Sequence, residues 1–358
     1  MQIKNNTLNF AGQDIFVGID VHKKSWMVTI LSEYTEHKTL SMSPKSINLI
    51  SYLEKFFPGG NYVCAYEAGF SGYWLQQELT KNGIKCLIVN PADVPQSDKD
   101  KRNKTDKVDS RRIAKALRSG QLRGIYIPKQ EDLELRSLVR TRSMLVRNQT
   151  RCKNRIKSLL SLFGIDITEA TVQSYWSAGY ISKLEETELL GAASKASLLI
   201  LIEELKNNKI MLNRLNLQLR ELSNQPDYSK KIELLKTVPG VGLITAMVLM
   251  TELMEINRFK KYDHLVSYAG LMPMEHSSGE TIIKSRITPR CNNMLRHVIV
   301  ESSWIASRKD PALMMAYGSF VRQGIAKNKA IIKIARKLLC RIAHVLREQE
   351  SYSLAVVQ

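Results

Sequence analysis

Two stretches of this chain space their apolar residues by three and four in strict alternation, a pattern that only long α-helices satisfy. From Leu135 to Phe163 the series runs 135, 138, 142, 145, 149, 152, 156, 159, 163, and seven of these positions are apolar, Arg142 and Gln149 being the exceptions. From Leu198 to Leu222 it runs 198, 201, 205, 208, 212, 215, 219, 222, and every position is Leu except Asn208. A repeat averaging about 3.5 residues keeps one stripe of a helix turned toward a partner helix. A single Asn in such a stripe commonly fixes register and strand number. Seams this long need a partner surface, and the expected one is a second subunit in a coiled coil; the alternative is an antiparallel pair inside one domain. The connector between them, Asp166 to Leu190, has no resolvable pattern and is helical or irregular.

The residues before the first seam follow different periodicities. Ile15-Phe16-Val17-Gly18-Ile19-Asp20 and Trp26-Met27-Val28-Thr29-Ile30-Leu31 are β-prone runs around a His22-Lys23-Lys24 turn. Helix is expected over 45–57, strand over Tyr62–Tyr66 closed by Glu67, helix over 73–82, strand over Lys85–Val89, a polar basic loop over 93–105 and helix from Asp106 to about Ser119. A hairpin followed by alternating strands and helices implies an α/β domain with a mixed sheet. After the second seam, Val238-Pro239-Gly240-Val241-Gly242 leads into an apolar helix (243–253). A Gly/Ser-containing loop (270–284) and further helices follow, so this half reads as all-α. The expected domains are 1–128, 129–230 and 231–350.

Charge narrows the partners. The formal net charge of the 358 residues is +19. From Lys99 to Lys157 there are 19 Lys/Arg against 6 Asp/Glu, and from Gly318 to Arg347 there are 8 Lys/Arg and no acid. These two stretches carry more than the whole excess, an electrostatic footprint for phosphates. The candidate nucleic-acid contacts are Lys101, Arg102, Lys104, Arg111, Arg112, Arg151, Lys153, Arg155 and Lys157 in the first stretch, and Lys327, Lys329, Lys333, Arg336 and Lys337 in the second. Gly240 and Gly242 join them, because a Pro-Gly-Val-Gly turn resembles a helix-hairpin-helix that offers backbone N–H groups to phosphate; an ordinary helix-start turn explains it equally. The five cysteines are scattered with no C-x-x-C pair, which argues against zinc and against a disulfide framework. No signal-like or membrane-spanning run is present, so a cytoplasmic location is expected.

Acids at four places in the first third of this basic chain invite a metal. Asp20 and Glu67 each end an apolar strand, which puts both at one rim of a sheet. Asp106 and Asp109 are i, i+3 and share a helix face. Taken alone, Asp106 as N-cap with Asp109 at N3 is close to a capping box. Taken with the strand acids, the four form the pattern of an RNase H-like metal site. Magnesium takes carboxylate and phosphate oxygens, and two-ion sites clamp the attacking and leaving oxygens of a phosphodiester.

Several short motifs occur together. Phe16-Val17-Gly18-Ile19-Asp20-Val21-His22-Lys23, Tyr66-Glu67-Ala68-Gly69, Asn90-Pro91-Ala92-Asp93 and Lys104-Thr105-Asp106-Lys107-Val108-Asp109 come first. Val238 to Gly242, Tyr268-Ala269-Gly270-Leu271, His276-Ser277-Ser278-Gly279 and Leu295-Arg296 follow. In order and spacing they resemble the DEDD-type transposases of the IS110/IS1111 insertion sequences, also described as bridge-RNA-guided recombinases. The resemblance implies a RuvC-like N-terminal domain, coiled-coil helices and an α-helical transposase domain. It implies that Asp20, Glu67, Asp106 and Asp109 hold Mg²⁺, and that Ser278, or alternatively Ser277, attacks DNA to form a phosphoserine link. A Ser hydroxyl needs such activation. It further implies donor and target DNA and a structured noncoding guide RNA as partners, with a dimer or tetramer built through the coiled coil in a bacterial or archaeal cytoplasm at the nucleoid. Where relatives carry a Lys-Arg-Gly-like turn this chain has Thr288-Pro289-Arg290-Cys291-Asn292, with Cys291 in place of glycine. Of the histidines, His276 is expected to assist the serine, while His22 and His297 read as surface or packing residues. Two other readings share the sequence features: a metal-dependent Holliday-junction-resolvase-like endonuclease without a covalent intermediate, and a non-catalytic nucleic-acid-binding protein.

Overall fold

The computed structural model describes residues 9–96, 105–165, 176–278 and 281–354, and between 274 and 286 the backbone alone. The chain forms two compact units, residues 1–127 and 128–358.

The first unit is built on a five-stranded sheet in the order β3-β2-β1-β4-β5. Its strands are β1 (Asp14–Val21), β2 (Trp26–Leu31), β3 (Glu36–Met42), β4 (Asn61–Glu67) and β5 (Lys85–Val89). β1 to β3 form an antiparallel meander, whereas β4 pairs parallel to β1 and β5 parallel to β4. The sheet is therefore mixed, consistent with the RNase H-like reading. β3 is an element the sequence reading lacked. Its EHKTLSM run is polar and lies at the sheet edge, where burial imposes no alternation on it.

One face of this sheet is covered by α1 (Ser46–Phe56) and α2 (Trp74–Lys81), with Ile15, Val17, Ile19, Tyr66 and Ile88 packed against Leu49, Leu53, Leu75 and Leu79. The other face carries Ala65 and Val89 against Ile113, Ala116 and Leu117 of α3 (Asp106–Arg118). α3 lies directly on β1 because residue 18 is glycine. A Cβ there would stand 2.2 Å from the Ser110 carbonyl oxygen and 2.4 Å from the Ala114 nitrogen. A buried hydroxyl relay fixes the same contact: Thr29 Oγ1 is 2.9 Å from both Ser110 Oγ and Thr39 Oγ1. Buried hydroxyls are tolerated where they satisfy each other in this way.

The second unit contains α4 (Gln130–Leu162), α5 (Ala178–Glu186), α6 (Ala192–Ser223), α7 (Pro226–Lys236), α8 (Leu243–Leu253), α9 (Tyr262–Tyr268), α10 (Asn293–Lys309), α11 (Pro311–Arg322) and α12 (Lys327–Glu348). The two seams meet each other. Arg142 Nε donates to Asn216 Oδ1 at 2.7 Å, Cys152 Sγ donates to the Leu201 carbonyl at 3.0 Å, and Arg155 pairs with Glu204 at 3.5 Å, so α4 and α6 run antiparallel within one chain. The stripes thus have an intrachain partner. Arg142, polar in an apolar series, is explained by its bond to Asn216. Asn208 is buried but donates to the Glu204 carbonyl of its own helix, so its amide does not set register across the pair.

Toward the start of α4, Leu135, Val139 and Leu145 share one large core with Leu215 and Leu219 of α6, the apolar helix α8, and Ile334, Leu338 and Ile342 of α12. Residues on both sides of the expected 230/231 boundary belong to that core. The far end of the α4–α6 pair holds a separate core with Tyr180, Ile181 and Leu184 of α5. The all-α expectation for the last part of the chain needs correction. β6 (Pro273–Ser278) and β7 (Thr281–Ile287) form an antiparallel hairpin where a loop was expected. The signal was a Gly-X dipeptide, Gly279-Glu280, between two runs; Gly-X pairs favour two-residue hairpin turns.

Candidate active site

Four acids converge on the α3 side of the sheet. β1 and β4 are parallel neighbours with Ile19 opposite Tyr66, so the next residues, Asp20 and Glu67, sit side by side at the carboxyl ends of both strands. Ile19 and Tyr66 are buried under α1 and α2, and alternation turns Asp20 and Glu67 to the opposite face. The N-terminus of α3 supplies the other pair. Its N-cap is Thr105, whose Oγ1 accepts from the Val108 N–H at 3.3 Å. Asp106 is therefore the first helical residue rather than the cap, and the capping-box account of this pair does not hold. Both carboxylates are left to interact with other groups.

Those groups include two that the sequence reading assigned elsewhere. His22 Nε2 lies 3.2 Å from Asp20 Oδ2 and 3.6 Å from Asp106 Oδ1. Arg112 donates to Glu67 Oε1 at 2.6 Å and approaches Asp109 Oδ1 at 3.3 Å. Its guanidinium is turned into the acids and only 12% exposed, a different environment from a free phosphate contact. Its Nε is buried with no hydrogen-bond partner among the described residues. Both residues were visible in principle. His22 follows Asp20 by two at the end of a strand, and Arg112 follows Asp109 by three on a helix.

The electrostatics are those of a site short of positive charge. Burial pushes the Asp20 carboxyl above its ordinary value, and Asp106 and Asp109 push the same way, against the opposing pull of His22. Burial likewise raises Glu67, with Asp109 and Asp20 adding to it and Arg112 opposing. Carboxylates such as Asp20 and Glu67, pushed up by burial and by acidic neighbours, are stabilised in their charged form by a cation among them. Ligand atoms of Asp20, His22 and Asp106 all lie within 4.8 Å of one another, a donor set that fits a divalent ion.

The other candidate residues are placed as follows. Ser277 and Ser278 close β6, with Ser278 opposite Thr281 at the end of the hairpin; their side chains, and that of His276, lie outside the described residues. Lys101, Arg102 and Lys104 lie outside them too. Arg111 is exposed and pairs with Glu36 at 2.6 Å. Arg151, Arg155 and Lys157 are exposed along α4, and Lys153 sits 5.3 Å over the Trp176 ring. Gly240 has φ +85° and packs on α10, where a Cβ would meet the Ser302 carbonyl at 2.4 Å; Gly242 is the N-cap of α8. Lys327 and Lys329 open α12. Lys333, Arg336, Lys337 and Arg341 line a cleft on that helix together with Tyr262 and Phe320. Lys333 Nζ stands 4.7 Å over the Phe320 ring.

Sequence reasoning missed a cluster that includes Asn292, five residues past the end of β7. Glu252 is fully buried. Arg140 donates to both its oxygens at 2.9 and 3.0 Å, Arg136 approaches at 3.4 Å, and Asn292 Nδ2 donates at 2.6 Å. Burial alone raises this carboxyl, but the Arg140 bond, the two arginine charges and the Asn292 bond outweigh it and hold it below the ordinary value. Asn292 also caps α10 through Leu295 N–H, so this cluster ties α4 and α8 to the exit of the hairpin.

Two family models match the chain. The DEDD transposase model of IS110 type covers residues 17–165, and the model described as "Transposase IS116/IS110/IS902 family" covers residues 232–318. Among curated relatives, a putative transposase of Sinorhizobium fredii is 28% identical over 243 residues, 68% of this chain and 58% of its own length. The transposase of insertion sequence element IS1533 from Leptospira borgpetersenii is 24% identical over 304 residues, 81% of this chain and 84% of its own. That of IS1111A from Coxiella burnetii is 25% identical over 289 residues, 79% of this chain and 77% of its own. The first family match contains all four converging acids and the second contains the serine hairpin, and on these grounds the chain belongs to the IS110 family of transposases.

Proposed function

We propose that this transposase cuts and rejoins the DNA of an insertion sequence with Asp20, Glu67, Asp106 and Asp109 holding Mg²⁺ and Ser278 as nucleophile, Ser277 being the alternative. The observation that carries the reading is the meeting of the four acids at one rim of the first unit. A bound divalent ion would neutralise phosphate oxygens as charge develops at phosphorus. The chain's own part is to hold that ion, to bind the DNA backbone and to supply the serine. The serine Oγ–P bond forms as one P–O ester bond breaks; the serine loses its proton and the released strand end gains one as a hydroxyl. Reversal by another strand's hydroxyl rejoins DNA and frees the serine, and the ester bond energy is kept throughout.

Sequence choice on donor and target DNA is assigned to a structured noncoding RNA, and the basic faces of α4 and α12 are the surfaces offered for RNA and DNA backbone. A homo-oligomer, dimer or tetramer, is assigned to the outer face of the α4–α6 coiled-coil pair, where Leu199, Ile200, Ile210, Met211 and Leu217 are exposed. No helix among the described residues is long and apolar enough to cross a membrane, and the proposed site of action is the cytoplasm at the nucleoid.

A suicide DNA substrate tests the nucleophile. Wild type is expected to give a covalent protein–DNA adduct that Ser278→Ala abolishes while DNA binding survives. Adducts persisting in both Ser278→Ala and Ser277→Ala would overturn the serine. One observation favours a second reading, metal-dependent resolvase-like cleavage by water: the acid cluster is complete within the first unit. Cleavage with no adduct in any variant would establish it.

A further inference from the structure

The four acids are not equally available to an ion. Glu67 and Asp109 already share a cation, the Arg112 guanidinium, at 2.6 and 3.3 Å. Asp20 and Asp106 have no arginine or lysine on them among the described residues. Their shared neighbour is His22, whose Nε2 stands between them at 3.2 and 3.6 Å. The imidazole is half exposed, and its described polar contacts are these two carboxylates. An imidazole nitrogen at hydrogen-bonding distance from one carboxylate and 3.6 Å from a second, all three ligand atoms lying within 4.8 Å of one another, stands at the rim of a cation pocket.

Building on the metal reading of this site, we propose that His22 is itself a metal ligand, so that the open pocket offers one nitrogen and two carboxylates rather than oxygens alone. This changes which ion the site binds more tightly at equal concentration, while leaving Mg²⁺ able to occupy it. Magnesium demands oxygen ligands and keeps its waters; manganese also favours oxygen but tolerates an imidazole better than magnesium does, and the later first-row ions accept one more readily still. The pocket Asp20–His22–Asp106 therefore favours Mn²⁺ over Mg²⁺, and His22 sets that preference. The position makes the inference specific to this geometry: residue 22 lies just past the end of β1, two residues from Asp20, and its ring reaches Asp106 at the start of α3.

Pulsed EPR of the full-length chain loaded with Mn²⁺ tests it directly, because an imidazole bound to manganese modulates the electron spin echo through its ¹⁴N nucleus. The wild type is expected to show this modulation and His22→Ala to lose it while still binding Mn²⁺ through the acids. Competition titrations should show the Mn²⁺:Mg²⁺ affinity ratio falling about tenfold in His22→Ala, worth about 1.4 kcal/mol. Circular dichroism and thermal melting of both proteins identify any variant that fails to fold; His22→Gln then serves as the second variant lacking the imidazole. Manganese bound to wild type, lost in Asp20→Asn and silent in ¹⁴N would overturn the role of His22 and leave the acid site standing. A wild type that binds neither ion would overturn both.

Discussion

Arg112 shows how much a single side chain decides at this site. Its charge offsets Glu67, whose carboxyl burial and the neighbouring Asp109 and Asp20 push above its ordinary value, and it stands 3.3 Å from Asp109. Replacing it with methionine keeps much of the volume and leaves the two acids facing each other. Arg112→Met is expected to melt several degrees lower than wild type in EDTA, a cost of about 1–3 kcal/mol. Its gain in melting temperature on adding a divalent ion should exceed that of wild type, since the ion then supplies the missing charge. Equal gains in the two proteins would show that Arg112 does not share the acids with the ion. The four acids were legible because each closes an apolar run or opens a helix after a Thr. His22 and Arg112 were harder to read, because a basic residue near an acid in a basic chain fits many roles. Only the register of β1 against α3 shows which acid each one faces.

At the scale of elements, Glu252 joins three helices through one carboxylate. Its pKa in the folded chain lies below that of the unfolded chain, so the stability it contributes is fully present above the unfolded carboxyl value of about 4.3. That stability is lost as pH falls through the lower folded value. Acid titration of stability, followed by urea melts between neutral pH and about pH 3, should show a fall that Glu252→Gln flattens. The variant itself should cost on the order of 3 kcal/mol at neutral pH, because Arg136 and Arg140 lose a buried partner. Sequence could not reach this cluster: Arg136, Arg140, Glu252 and Asn292 come from distant segments, and each is unremarkable where it stands. The helices were a different matter. The 3-4 repeats gave α4 and α6 and their inward stripes. Periodicity states that a stripe has a partner without naming it, and here the partner is the other stripe. β3 and the β6–β7 hairpin escaped because neither has a two-sided apolar pattern.

For the whole molecule the basic stretches are the decisive property, and structure separates them into different kinds of charge. Some cations are spent on partners within the chain: Arg112 on the acids, Arg111 on Glu36, Arg136 and Arg140 on Glu252. The cleft on α12 is another kind, with Lys333, Arg336 and Lys337 set beside Phe320 and Tyr262. Aromatic rings among cations suit unpaired bases as well as backbone phosphate. Changing Lys333, Arg336 and Lys337 together to Gln should weaken nucleic-acid binding. It should also reduce the slope of log affinity against log salt by roughly 2–3, close to one counterion per cation removed. An unchanged slope, measured by fluorescence anisotropy across a salt series, would place the binding face elsewhere.

The two separate cores along the α4–α6 pair have a mechanical consequence. α4 has 33 residues, which at 1.5 Å per residue makes an arm about 50 Å long. Its root is set in the large core of the second unit, while its tip is closed by α5 around an independent apolar knot. Such an arm behaves as a ruler with a removable end-piece. Whole heptads could be added to or taken from both helices between the two cores, altering the reach of the tip without repacking either end.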